Sequence, residues 1–454
     1  MLTLLKPKLF LAIIILADIL PIIYFLGMNR ILWWDEVVYL SLGNSILKGR
    51  YEIIPNRDAF RPIFFPFLIA LSLLIDGEVL VRILIATFSI FSIISTYYMG
   101  KKLFDVKTGL IAALVMLSFP LFIFHSNKIL AEMIFLTLTP LAVTTFYLGI
   151  EKDKKFLLLS AFLTGMFILT KYFGFFLLLI YFLYVLFKKE FQIFKKRKFY
   201  LALIIFFLTL TPWFIINTIY YKNPIGGIFE NAEIYLPLPK NRPFYFFFID
   251  SWEIFGMSTI FIPVGIFYAL KERKNNSLLI LIYALIPFLF FSLMGHKEPR
   301  YLVSFFPSFA CLIGSAIQKI PKKIRTFTYG FLLISLILGF YLGFKNIAEE
   351  EVNLNVLREG SLYVKNATRA NEYVMSESYP YLSYYADRVT IRPPKDKGEL
   401  YRLLDNYNIS YILVDMSEPG NPNYLLTELK TVKFKEMKSF TNQNNRTVTI
   451  YKKL

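Results

Sequence analysis

The chain has 454 residues, 56% of them apolar and 18% aromatic, and a formal charge of +18 from 50 Lys and Arg against 32 Asp and Glu. A composition this apolar excludes a pair of ordinary soluble domains and describes a polytopic membrane protein. The positive balance is not that of a nucleic-acid reader, which would gather its cations on one soluble face.

Apolar runs of spanning length recur at Leu9–Met28, Val79–Gly100, Leu110–Phe124, Ile129–Ile150, Phe156–Thr170, Tyr172–Phe187, Tyr200–Tyr220, Trp252–Leu270, Ser277–Met294, Tyr301–Ile317 and Phe327–Phe344. They predict a mainly α, polytopic helical bundle of about eleven spans, the shorter ones borrowing flanking aromatics to cross about 30 Å of hydrocarbon. The first run follows a basic start, as a signal peptide would. It lacks a small-residue cleavage site and is followed by further spans, so it reads as a retained helix.

The cations cluster at Lys6 and Lys8, Lys101–Lys107, Lys152–Lys155, Lys188–Lys198, Lys271–Lys274 and Lys319–Arg325, in alternate loops. By the positive-inside rule these loops and the N-terminus are expected in the cytoplasm, and an odd number of spans puts the C-terminal tail outside a cell membrane. The single cysteine, Cys311, excludes an intramolecular disulfide and a cysteine metal cluster.

In chain order, the first outer loop covers residues 29–78 and opens with the adjacent carboxylates Asp35 and Glu36. Acids placed this close to a membrane are costly unless they stay wet, hold a cation or do chemistry at the interface. Pro62–Ile75 is apolar but too short to span, and is expected to lie along the interface. Residues 1–344 read as the membrane domain and 345–454 as a small extracytoplasmic α/β domain. In that tail, helices are predicted over Val356–Asn366, Pro380–Ala386 and Gly398–Asn406, and strands over Tyr373–Ser376, Val389–Arg392, Tyr411–Val414 and Thr447–Tyr451. Sequons occur at Asn366, Asn408 and Asn445 in the tail and at Asn275 in a loop expected inside.

The polar residues that sit badly in a span are expected near its outer end: Asp35, Glu36, Arg61, Arg82, His125, Lys128, Glu132, Lys171, His296, Lys297 and Arg300. This one-sidedness predicts a single outward-facing site. Acids and cations together beside lipid headgroups suit a substrate carrying a phosphate on an apolar chain. Cations bind the phosphate oxygens and stabilise charge as a bond to phosphate breaks, while a carboxylate takes the proton of an attacking hydroxyl. Trp33, Trp34, Tyr39, Phe64 and Phe65 suit a prenyl chain or a sugar face, although aromatic belts serve most membrane interfaces.

Several short motifs then fall in a telling order. Asp35-Glu36 with Tyr39 comes after the first helix, Arg61-Pro62 opens the interfacial segment and Arg82 stands early in the next span. Leu169-Thr170-Lys171, Pro212-Trp213, and Lys297 with Arg300-Tyr301 follow. Over Met1–Phe344 the chain resembles GT-C glycosyltransferases of the protein O-mannosyltransferase and aminoarabinose transferase type, and the tail resembles their extracytoplasmic domains more loosely. The resemblance implies transfer of a sugar from a polyprenyl-phosphate donor to an acceptor hydroxyl on the outer face, with inversion. It implies Asp35 as general base with Glu36 beside it, and Arg61, Arg82, Lys171, Lys297 and Arg300 around the donor phosphate. Tyr39, His125, Lys128, Glu132, His296 and Tyr301 are the expected orienting groups.

Two departures stand out. Arg61 replaces the Lys that many relatives carry before Pro, which keeps the charge and changes its geometry. His125-Ser126-Asn127-Lys128 and then Glu132 stand where the family has Arg and Asp, which leaves the second acidic position and any metal site open.

Plainer readings stand beside each assignment. Asp35-Glu36 can cap a helix beginning near Val37. Lys171 can snorkel to the interface, residues 296–300 can form an ordinary polar turn, and His125 and Lys128 can anchor in the headgroup layer. No cofactor is required, although paired acids hold a divalent metal as readily as they abstract a proton. The expected partners are the lipid-linked donor, membrane lipid and an acceptor that is protein, glycan or lipid, with no role for nucleic acid. A lipid-linked sugar flippase is the main alternative. Its usual signs, an internal repeat and polar residues reachable from both sides, are not visible. A non-catalytic membrane scaffold is the third reading.

Overall fold

A computed structural model of the chain describes residues 6–26, 30–53, 61–235, 242–407, 409–418, 420–431 and 433–454. It divides into two compact units. Met1–Met28, Phe60–Phe67 and Ile75–Lys345 form the first, and Asn29–Ala59, Leu68–Leu74 and Asn346–Leu454 form the second.

The first unit is helical, and helix occupies each of the eleven apolar runs over its described residues. Among the described residues seven helices are long and apolar enough to cross a membrane by themselves: Pro7–Leu26, Glu132–Glu151, Arg197–Tyr221, Ser251–Glu272, Asn275–Leu293, Pro299–Lys319 and Lys322–Ala367. Val106–Leu117 and Pro120–Ser126 make an eighth if their 72° bend is counted within one span. The remaining runs are accommodated differently. Phe156–Ile168 and Tyr172–Lys188 are shorter apolar helices, and Val79–Gly100 lies in the second limb of Phe64–Leu103, which is broken at Asp76 and Gly77. Gly77 has φ 66°, a conformation an L side chain rarely adopts. Pro62–Ile75 thus supplies the first limb of the same helix.

The bend at Ser118 is seated on Lys322–Ala367. A Cβ at Gly339 would stand 2.3 Å from the Ser118 carbonyl oxygen, and one at Gly343 would meet Ile123 at 2.7 Å. Two glycines four apart therefore let the bend approach the helix backbone, as small residues do between membrane helices. A buried hydroxyl row crosses the same place, with Ser118 Oγ 2.9 Å from Ser258 Oγ and Ser258 Oγ 3.0 Å from Ser335 Oγ.

The second unit contains a five-stranded sheet: β1 Tyr373–Met375, β2 Thr390–Ile391, β3 Ile409–Asp415, β4 Phe434–Thr441 and β5 Thr447–Lys453. Their order is β2-β1-β3-β5-β4, with β1 parallel to both β2 and β3, and β5 antiparallel to both β3 and β4. Leu400 and Leu404 of helix Lys397–Asn406, and Leu425 and Leu429 of helix Asn423–Leu429, pack with Met375, Ile412 and Val414 into one core. The four strands expected in the tail are present, as is helix Gly398–Asn406; of the other two expected helices, Val356–Asn366 is the end of the continuous helix Lys322–Ala367, and Pro380–Ala386 is a short α turn running into a π turn. Strand β4 and helix Asn423–Leu429 were not foreseen. The sequon at Asn408 falls outside the described residues.

The C-terminus of helix Lys322–Ala367 is closed by Arg388. Its guanidinium donates to the carbonyls of Lys365 at 3.1 Å and Thr368 at 2.8 Å, and to Thr368 Oγ1 at 3.0 Å. A cation on these last carbonyls complements the negative end of the helix dipole.

Candidate functional site

In the second unit, helix Trp34–Leu47 begins with Asp35 and Glu36 in its first turn. Both are buried, Glu36 to 1% exposure. Glu36 folds back so that its Oε2 accepts the Trp33 backbone N–H at 2.8 Å, the capping role that was the plainer reading of this acid. Asp35 shares the favourable end of the dipole without being that cap.

The segment before this helix is clamped from the tail part of the same unit. Arg30 pairs with Glu351 at 2.6 Å, the Tyr381 hydroxyl donates to the Leu32 carbonyl at 3.2 Å, and the Leu32 N–H donates to the Tyr385 hydroxyl at 3.3 Å. The Trp34 ring stands edge-on to Tyr379 and Tyr381, at 5.9 and 6.0 Å. Burial pushes the Tyr381 phenol well above its ordinary pKa, so it is a fixed donor. Tyr39 is buried in the same helix.

The first unit gathers most of the expected cations. Lys171 follows helix Phe156–Ile168, where its Nζ meets Glu132 Oε1 at 2.7 Å and lies over the rings of Phe135 and Phe173 at 5.1 and 5.2 Å. Glu132 is 2% exposed and lies within electrostatic reach of His125 and Arg300 as well. His125 is 1% exposed, with Lys128, Lys171, Glu132 and Arg300 as its charged neighbours. Neither of its ring nitrogens has a hydrogen-bond partner among the described residues. Lys128, also buried, holds its Nζ 5.3 Å from the Phe124 ring.

Residues 296–301 form a second set in this unit. Glu298 takes Arg300 Nε at 2.5 Å on one oxygen, and His296 Nε2 at 3.0 Å and the Tyr301 hydroxyl at 3.4 Å on the other. The Tyr301 ring packs on Phe173 at 5.6 Å, beside Lys171. Glu298, which organises this turn, was not among the expected site residues. A carboxylate between a histidine and an arginine at i−2 and i+2 was the available signal.

Three of the motifs meet at the Leu169–Lys171 turn. The Phe64 N–H, just after Arg61-Pro62, donates to the Leu169 carbonyl at 2.8 Å. The Trp213 indole donates to the Tyr172 hydroxyl at 3.3 Å. Ile63, Phe64 and Tyr172 pack on a core of Ile168, Leu169, Phe206, Leu210 and Trp213.

Two expected donor-binding cations are engaged elsewhere. Arg82 is taken up by Glu78 one turn earlier, at 2.6 and 3.0 Å. Lys297 is 4% exposed and donates to the carbonyls of Met294 and, at 3.3 Å, Arg242. One acid departs from the expected one-sidedness: Asp18, fully buried in the middle of Pro7–Leu26, accepts from Ser89 Oγ at 2.9 and 3.1 Å. A lone carboxyl inside a greasy run is the signal of it in the sequence. Among the described residues no three His, Cys, Asp or Glu converge as a metal site.

The sequence model of the dolichyl-phosphate-mannose-protein mannosyltransferase family matches residues 60–216. An uncharacterised protein of Aquifex aeolicus is 25% identical over 334 residues, 70% of this chain and 66% of the relative, so the match spans just under two thirds of the relative's length. The structure of ArnT from Cupriavidus metallidurans bound to undecaprenyl phosphate superposes with a TM-score of 0.75 at 14% identity, covering 97% of both chains. The oligosaccharyltransferase AglB of Archaeoglobus fulgidus, in complex with an inhibitory peptide and a dolichol-phosphate, gives 0.64 at 14% identity, over 90% of this chain and 69% of that one. At such identities the likeness is one of fold.

Proposed function

We propose that the chain is a GT-C superfamily member of the ArnT and protein O-mannosyltransferase type, a membrane glycosyltransferase that moves a sugar from a polyprenyl phosphate to an acceptor hydroxyl, with inversion. The observation that carries the reading is the group formed by the Lys171–Glu132 pair with His125, Lys128 and Arg300. Several cations held together in a shielded place, with one acid to fix them, suit a phosphate ester better than a neutral ligand. The lipid phosphates bound by ArnT and AglB support the same class of donor.

In the proposed reaction the acceptor hydroxyl attacks the anomeric carbon as the bond to the lipid phosphate breaks. Asp35 receives the hydroxyl proton, and the electron pair of the broken bond stays on the phosphate, where Arg61, Lys171 and Arg300 stabilise it. A sugar phosphate brings its own leaving group, so the general acid needed in glycoside hydrolysis is dispensable. Lys297 and Arg82 have a lesser place here, since protein groups already engage them. Glu132 and Glu298 hold the cations that face the phosphate. The C-terminal part of the chain is assigned to the outer side, from the alternation of basic loops.

The test is an assay of the purified protein against a panel of radiolabelled polyprenyl-phosphate sugars, with and without chelator. Turnover of one donor, falling about 10²–10⁴-fold in Asp35→Asn, is the expected result. Transfer at the wild-type rate by that variant removes the assigned base.

A further inference from the structure

Helix Trp34–Leu47 carries Asp35 in its first turn and, in its last two turns, one wall of a polar groove of about 700 Å³ within the second unit. Small-molecule sites occupy roughly 300–1,000 Å³. Ser41, Asn44, Ser45 and Lys48 make this wall, and their spacing puts them on one helical stripe. Lys365, Ser383 and Tyr384 line the groove from the tail part of the unit, and Arg50 and Glu52 complete it after the helix ends.

Its charges are unevenly committed. Arg388 spends its guanidinium on backbone carbonyls, those of Lys365 and Thr368 at the end of helix Lys322–Ala367 and that of Ala386. Lys48, Arg50 and Lys365 are exposed, and among the described residues none of the three has an ion pair or a side-chain hydrogen bond. Glu52 and Asp387 are the acids of the lining, so its four cations exceed its acids by two. Ser41 Oγ is shielded from solvent and also lacks a hydrogen-bond partner among the described residues. A shielded hydroxyl without a partner is costly unless a ligand or water meets it.

We propose that this groove binds an anionic saccharide, the part of the acceptor adjoining the hydroxyl that receives the transferred sugar. The inference rests on Asp35 as the base. Hydroxyl and amide side chains both donate and accept, as sugar hydroxyls do, and uncommitted cations match a carboxylate or phosphate on the sugar. The apolar share of the lining is Ile53, Ala370 and Val389, too little to bury a lipid tail or the apolar face of a peptide helix. Ser41 follows Asp35 by six residues, a rise of about 9 Å along the helix and about a third of a turn around it, so an acceptor seated in the groove reaches Asp35 by wrapping the helix over about three sugar rings.

The test uses the full-length protein in nanodiscs of a zwitterionic phospholipid, without lipid-linked donor, titrated with trigalacturonate and with maltotriose as the neutral trisaccharide. Trigalacturonate binds, maltotriose binds at least about tenfold more weakly, and the Lys48→Gln/Arg50→Gln double variant loses about tenfold for trigalacturonate at an unchanged melting temperature. Equal affinity for the two sugars, binding of neither, or undiminished trigalacturonate binding by the double variant overturns the proposal. Asp35→Asn binds trigalacturonate as the wild type does. If that variant also transfers sugar normally, the base assignment falls while the groove stands.

Discussion

Glu36 and Asp35 are neighbours with separable duties. Glu36 accepts the Trp33 N–H, a role a glutamine side chain also fills. Glu36→Gln is expected to keep the fold and most of the transfer activity, whereas Glu36→Ala loses about 1 kcal/mol of stability with the cap, as thermal unfolding in detergent would report. Glu132 is a different case. It is buried and compensates Lys171, so Glu132→Gln leaves a shielded ammonium facing one neutral amide and costs about 2 kcal/mol or more. Restoration of melting temperature, but not of transfer, in the double variant Glu132→Gln/Lys171→Met would separate the structural part of that pair from its work on the donor. At this scale the sequence shows which charged residues are conspicuous and hides what each one pairs with. Lys171 stood out as a charge between apolar halves, yet nothing local to it announced Glu132, thirty-nine residues earlier. Glu298 is hidden in the sequence because an acid inside a run of bases reads as a polar turn, whereas its two oxygens divide His296 and Tyr301 from Arg300.

Helices were legible where composition alone decides them. A run apolar enough for lipid must satisfy its backbone internally, so every such run had to be helical. Breaks were less legible, because they depend on what an element packs against. Phe64–Leu103 reads as an interfacial piece and a span, and it is one helix interrupted at Asp76-Gly77. The tail shows the same limit in β-structure. Strand β3 is buried along nearly its whole length and announces itself as Tyr-Ile-Leu-Val, whereas β4 exposes most of its side chains and carries Lys435, Glu436 and Lys438, the charged dress of an edge strand. Contacts between helices are invisible in composition, and Gly339 is where this matters most. Gly339→Val places branched carbon against the Ser118 carbonyl and is expected to cost about 3 kcal/mol or more, seen as lost monodisperse protein in gel filtration. Gly330→Ala on the same helix has open space around it and is the matched control.

Across the whole molecule, charge pattern and acid–base pairs make separate predictions. From the alternation of basic loops we predict the tail outside and residues 195–198 inside. In a Cys311→Ala background, a membrane-impermeant maleimide applied to intact cells is expected to label Lys435→Cys and to spare Lys196→Cys. The reverse labelling would invert the topology. In the tail, Lys397 at 2.5 Å and the Tyr401 hydroxyl, donating at 2.5 Å, hold the Glu428 carboxyl below its usual range. A depressed carboxylate contributes stability above its unfolded pKa and loses it as the pH falls through the folded one. Lys397→Gln is therefore expected to unfold at lower temperature than wild type at pH 7, with the two melting curves converging as the pH is taken below the ordinary carboxylate value. The hydroxyl row at the bend bears on the bundle in another way. Ser118 has already committed its hydrogen to the Val115 carbonyl at 2.7 Å, so Ser258 must donate to Ser118, and Ser335 to Ser258. The protons are thus aligned head to tail, and the bend carries a small built-in polarity with only one sense. Exchanging Ser335 for threonine keeps that sense, and exchanging it for alanine strands an oxygen at the middle of the row.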